Sequence, residues 1–115
     1  MIHSYLHLRA KPARRDELLS ALERLELKAA IHRSPGLLAV EIQIPFDDDD
    51  RLLVSSAWSS REHYERWLDS SACRELLHGI EDVLADAPEF RTYHLVDAIG
   101  NGVPGRAQIV GARRQ

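Results

Sequence analysis

Residues 2–9, IHSYLHLR, alternate strictly, with Ile2, Ser4, Leu6 and Leu8 on one side and His3, Tyr5, His7 and Arg9 on the other. Period two with one apolar face is the pattern of a strand half-buried in a sheet. It commits the chain to a layer with two unequal faces. The apolar face calls for helices, and the polar face must meet water, a ligand or a polar partner.

The later segments can be read against that layer. KPARRDE opens a helix, because Pro12 suits a first turn and the acids come early. Residues 13–33 carry Leu18, Leu22, Leu25 and Ala29 at helical spacing, and SPG at 34–36 stops the run. LLAVEIQI, 37–44, reads as a second strand with Leu38, Val40, Ile42 and Ile44 on one face and Glu41 and Gln43 on the other. Pro45 and the acidic run Asp47–Asp50 make a turn, and RLLVSSAW, 51–58, returns as the third strand. SSRE at 59–62 has the spacing of a capping box between Ser59 and Glu62. A helix is expected from Arg61 to Leu84, with a possible break at Ser70–Ser71, and EFRTYHLVD, 89–97, alternates as a fourth strand. The order β-α-β-β-α-β predicts a ferredoxin-like α+β domain over residues 1–97. Residues 98–115 read as a mobile Gly- and Arg-rich tail, in which AQIV has the character of a strand that pairs with a partner subunit. Helices on one face of the sheet leave the other bare, so a homodimer is expected.

Composition narrows the function classes. A formal net charge of −3 with scattered cations argues against a nucleic-acid surface. Cys73 is the single cysteine, so neither an internal disulfide nor a C-x-x-C metal pair is possible. The opening residues resemble neither a secretory signal nor a membrane anchor, and the expected location is the cytoplasm. The four aspartates lack the alternating spacing and glycine of a calcium loop, so a solvated turn is expected.

Two groups of residues carry chemical potential. Residues 57–80 hold both tryptophans, Tyr64, Cys73 and two of the six histidines. On an unbroken helix, Trp67 and His78 are eleven residues apart, which is about 20° of rotation at roughly 100° per residue, and Tyr64 falls close by. They would then line one edge of a cavity, or else be core edge with His78 solvated. Leu68, Ala72, Leu76, Ile80 and Val83 form the broader apolar side. Trp58 reads as packing and Cys73 as an inert thiol. The second group is the polar face of the first strand, with His94, Glu41 and Gln43 offering similar groups elsewhere. If these faces coincide, His7 could act as a base near neutral pH, with Tyr5 or Arg9 holding an oxyanion. The competing reading is a wet face or a polar dimer interface. No metal site is expected, since His3 and His7 on one strand stand roughly 13 Å apart at about 3.3 Å per residue.

The succession KPARRDELLSALERL, SPGLLAVEI, a strand ending in Trp58 and then SREHYERWLDS resembles the antibiotic biosynthesis monooxygenase domain family over residues 2–97. The resemblance implies a dimeric α+β barrel. It also implies, as the leading activity, cofactor-independent oxygenation of a small aromatic phenol or quinol by dioxygen. His7 would be base or orienter, Tyr5 a hydrogen-bond donor and Trp67 a pocket wall, with Tyr64, His78, His94 and Arg9 contacting substrate. The family's haem-degrading branch is similar in the run W-x8-W-x2-S, here Trp58, Trp67 and Ser70. That branch has a histidine where this chain has Leu77, with His78 one place later, and an asparagine on a first strand that has none here. The alternative it implies is haem binding, with His78 as proximal ligand and Trp67 against the macrocycle. A non-catalytic small-molecule-binding domain is the third reading.

Overall fold

The computed structural model describes residues 1–24 and 34–100. Four strands, β1 (Ile2–Arg9), β2 (Leu37–Gln43), β3 (Arg51–Trp58) and β4 (Glu89–His94), form one antiparallel sheet in the order β2-β3-β1-β4. Helix α1 (Arg15–Arg24) connects β1 to β2. Helices α2 (Arg61–Leu68) and α3 (Ser71–Ile80), with a 3-10 turn at Glu81–Val83, connect β3 to β4. This is the expected ferredoxin-like α+β architecture. The helical stripe beyond Arg24 that includes Leu25 and Ala29, and the tail segment AQIV, lie outside the described residues.

The alternation of β1 is realised residue by residue: Ile2, Ser4, Leu6 and Leu8 are buried, and His3, Tyr5, His7 and Arg9, which alternate with them, are half-buried. Leu6, Leu8, Leu52 and Val54 from the sheet meet Leu18, Ala21 and Leu22 of α1 and Leu76 and Ile80 of α3 in the main core. A second cluster, Ile2, Trp58 and Tyr64, sits under α2, and Trp67 packs against both. Trp58 is buried, as expected of a packing residue, and so is Cys73, whose thiol burial pushes up and keeps protonated.

Three local features matter for the site. The helix expected over 61–84 is broken at the point where the sequence allowed a break, because Ser70 ends one helix and starts the next. Its hydroxyl donates to the Trp67 carbonyl at 2.6 Å and accepts from the Cys73 N–H at 3.2 Å. The N-cap of α2 is Ser60, not Ser59, and its oxygen accepts from the His63 N–H at 3.3 Å. In β2 a register shift between Leu37 and Ala39 turns Leu37 toward the second cluster and leaves Leu38 54% exposed, against the expected inward face. Ile44 follows the end of the strand and is also exposed.

The aspartate run is a turn, as expected, and it also braces the start of α1. Asp50 accepts from the Ala10 and Ala13 N–H groups, Asp48 accepts from Arg51 at 2.9 Å, and the Asp48 carbonyl accepts from Arg15. The Asp50 N–H, and then Arg51, hold the Asp48 carboxyl below its usual range. Ala13, the described non-glycine residue at positive φ (64°), sits in this braced turn.

A buried hydroxyl pair ties α2 to the sheet. Ser4 Oγ donates to the Tyr64 hydroxyl at 2.9 Å, and both side chains are nearly closed to solvent. Burial raises the Tyr64 phenol, so it stays neutral. Tyr64→Phe should cost about 1–2 kcal/mol in urea unfolding, because Ser4 loses its buried partner. A cycle with Ser4→Ala should show coupling, the double variant losing less than the sum of the singles; strict additivity would show that the pair contributes nothing as a pair.

Candidate functional site

The residues expected to form one site occupy both faces of the sheet. On the face away from the helices, the register sets His3 beside Ala57 and Tyr93, Tyr5 beside Ser55 and Arg91, and His7 beside Leu53 and Glu89. Glu41 and Gln43 share this face. Tyr5 and Tyr93 meet edge-to-face at 5.5 Å, and with His7 they line a shallow recess of about 400 Å³. Burial, then Tyr93 and Glu41, push the Tyr5 phenol up, which keeps it a neutral donor. Burial and the chain's terminal ammonium lower His3. Arg9 lies at the far end of the strand, where its Nε donates to Asp86 at 2.6 Å.

His94 pairs with Ile2 and therefore faces the helices, opposite to His7. It shares a recess of about 440 Å³ with Tyr64, Thr92 and Arg61, between α2 and the edge strand. His78 is 84% exposed at the side chain, stands 3.7 Å from Glu81, and borders a different recess formed by Leu77, Leu84 and Pro88. Position 77 turns toward the core and position 78 toward solvent, and the break at Ser70 removes the shared helical face expected of Trp67 and His78. His7, His94 and Trp67 thus face three separate recesses. Trp67 and His78 also fail to flank one slot, so the arrangement does not fit a haem held between them.

Trp67 lines a recess of about 230 Å³ at the start of α2, with Trp58, His63, Arg66, Ser70 and Pro35. The indoles of Trp58 and Trp67 are tilted at 5.9 Å, and Trp58 Nε1 donates to Ser56 Oγ at 3.0 Å, which fixes the floor. His63 is the titratable group here, and it is held on two sides. Its Nδ1 lies 2.7 Å from Ser60 Oγ and 3.4 Å from Ser59 Oγ, and its ring lies against the backbone of Gly36. Gly36 adopts φ 81°, and a Cβ there would come within 2.3 Å of His63 Cγ. The Gly36 carbonyl accepts from the Ser59 N–H at 2.8 Å, joining the turn before β2 to the start of α2. Sequence reasoning passed over His63. The signal was a capping serine three residues before a histidine, a spacing that brings an N-cap hydroxyl to the third helical residue.

In the tautomer whose Nδ1–H donates to Ser60 Oγ, which keeps a second lone pair for the His63 N–H, Nε2 is the acceptor. The Trp67 indole, backed by the buried Trp58, and an imidazole in that tautomer can hold a flat aromatic molecule and accept a proton from its hydroxyl. Gly36→Ala should lose about 1–2 kcal/mol of stability from the positive φ alone, and more from overlap with the His63 ring. Adding His63→Ala should recover the overlap but not the backbone cost. Equal stability of Gly36→Ala with and without the second change would show that the ring is not clamped.

The Antibiotic biosynthesis monooxygenase family profile matches residues 1–96. Comparison with curated proteins finds no match. Among solved structures, SnoaB, a cofactor-independent oxygenase from Streptomyces nogalater, superposes with a TM-score of 0.72 at 14% identity, covering 87% of this chain and 97% of its own. A candidate antibiotic biosynthesis monooxygenase from Deinococcus radiodurans gives 0.75 at 15% identity, covering 90% and 100%. One from Nitrosomonas europaea gives 0.72 at 18%, covering 84% and 100%. At these identities the structures establish the shared fold, and the profile match establishes that the chain belongs to the antibiotic biosynthesis monooxygenase family.

Proposed function

We propose that the protein is a cytoplasmic homodimeric oxygenase that inserts one atom of dioxygen into a small electron-rich phenol or quinol without a bound cofactor. The observation that carries this reading is His63, anchored through Nδ1 to Ser60 beside an indole-lined recess. His63 Nε2 takes the proton of a ring hydroxyl, and the resulting phenolate transfers an electron to dioxygen. Recombination forms a carbon–oxygen bond. Loss of water then leaves a quinone, so that phenol plus dioxygen becomes quinone plus water. The protein's contribution is deprotonation, placement of the ring against Trp67, which Trp58 backs from below, and exclusion of water. The structural relative described as a cofactor-independent oxygenase supports the same chemistry.

In this reading His7 and Tyr5 belong to the outer sheet face, which a second copy covers. That face mixes Leu53, Ala57 and Ala39 with Tyr5, Tyr93 and His7, a composition suited to a partly polar interface. Tyr64 and His94 border the separate recess on the other flank of α2. Among the described residues, no helix is long and apolar enough to cross a membrane.

The test is oxygen uptake with a panel of phenols and hydroquinones, corrected for spontaneous oxidation, in chelator and with no added cofactor. His63→Gln should lower kcat by about 10²-fold or more, the usual contribution of a positioned base. Trp67→Ala should act mainly on KM. A panel that drives no uptake, or a His63→Gln variant as active as the parent, would refute the assignment. Sedimentation should give twice the 13.0 kDa subunit mass.

A further inference from the structure

Among the described residues, Arg66 and Arg24 differ from the other arginines in making no side-chain ion pair or hydrogen bond. Arg9, Arg14, Arg51, Arg61 and Arg91 each hold a carboxylate, at Asp86, Glu17, Asp48, Glu65 and Glu89. Arg15 and Arg74 donate to backbone carbonyls. Among the described residues Arg66 holds no carboxylate, yet it borders the Trp58–Trp67 recess. It follows His63 by three residues and precedes Trp67 by one. Residues three apart on a helix are surface neighbours, with Cβ atoms roughly 5–6 Å apart. An imidazole and a guanidinium that holds no carboxylate among the described residues therefore border one aromatic slot from adjacent positions.

We infer that Arg66 sets the substrate class of this recess: the aromatic ring it takes carries a carboxylate as well as the reacting hydroxyl. The inference rests on the reading of the recess as the substrate site. A guanidinium presents a planar fork that matches a carboxylate with two parallel hydrogen bonds. The ring of such an acid spans the gap between His63 and Arg66, so the carboxylate on Arg66 orients the hydroxyl toward His63. A neutral phenol would still stack on the Trp67 indole but would lack that orientation.

The experiment compares 2,5-dihydroxybenzoate with its neutral isostere 2,5-dihydroxybenzamide, titrated anaerobically against tryptophan fluorescence. Trp58 and Trp67 are the chain's two tryptophans, so quenching reports this recess directly. The acid should bind about tenfold tighter than the amide, the equivalent of one charge-assisted contact, and the ratio should shrink as salt is raised. In Arg66→Gln the ratio should fall to about one, and Arg66→Lys should retain part of it, since the charge stays but the fork is lost. The ratio, rather than either constant, is the readout, so a general loss of stability does not imitate the effect. Equal binding of acid and amide by the parent protein would overturn the role of Arg66 and leave the recess as a site for neutral phenols. A tenfold preference that persists in Arg66→Gln would also overturn it. Quenching by neither probe would overturn both the inference and the reading of the recess beneath it.

Discussion

The structure depends on β1 being hydrogen-bonded on both sides, to β3 and to β4. A strand in that position passes its own parity to its neighbours, because residues directly opposite across an antiparallel pair point the same way. Ile2, Ser4, Leu6 and Leu8 therefore decide that Trp58, Val54, Leu52, Phe90 and His94 face the helices. His3, Tyr5 and His7 decide what the bare face looks like. A slip of one residue in either pairing would exchange core and surface over that strand. The buried contact of Ser4 with Tyr64 ties α2 to the sheet in this layer.

Above that layer the chemistry is built from helix ends. Ser60 starts α2 and holds His63, while Ser70 closes α2 on the Trp67 carbonyl and opens α3. Both serines serve unsatisfied backbone groups that every helix terminus has. Here the same hydroxyls position the side chains around the indole-lined recess. Gly36 completes the arrangement from the other side, because the absent side chain at the turn before β2 is the space the imidazole occupies.

Much of the fold was legible in the sequence. Period-two and helical repeats are projections of side-chain burial, and burial is what organises a one-layer sheet under helices. The order of elements, the start of α2 to within a residue and the packing role of Trp58 all follow from such patterns. The bulge at Leu38 did not show, because it is a backbone event and the apolar alternation LLAVEI runs through it unchanged. The convergence of His7, His94 and Trp67 was not legible either. The face of His94 depends on the pairing of two strands more than eighty residues apart, and the relation of Trp67 to His78 depends on a helix that Ser70 divides. His63 was hidden in a different way. A polar residue in a first helical turn looks like surface until the turn that covers it, at Gly36, is placed in space.

The two edges of the sheet are unequal. Along β2 the ladder is disturbed at Leu37–Ala39, and Pro45 lies just beyond the strand, so the regular part of this edge is confined to Ala39–Gln43. β4 offers an uninterrupted edge from Glu89 to His94, and the chain leaves it in the same direction with Val96 and Ile99 almost fully exposed. A sheet that can be extended from both sides propagates into fibres, whereas one extendable from a single side is exhausted after one addition. The irregularity in β2 leaves its edge less regular than that of β4.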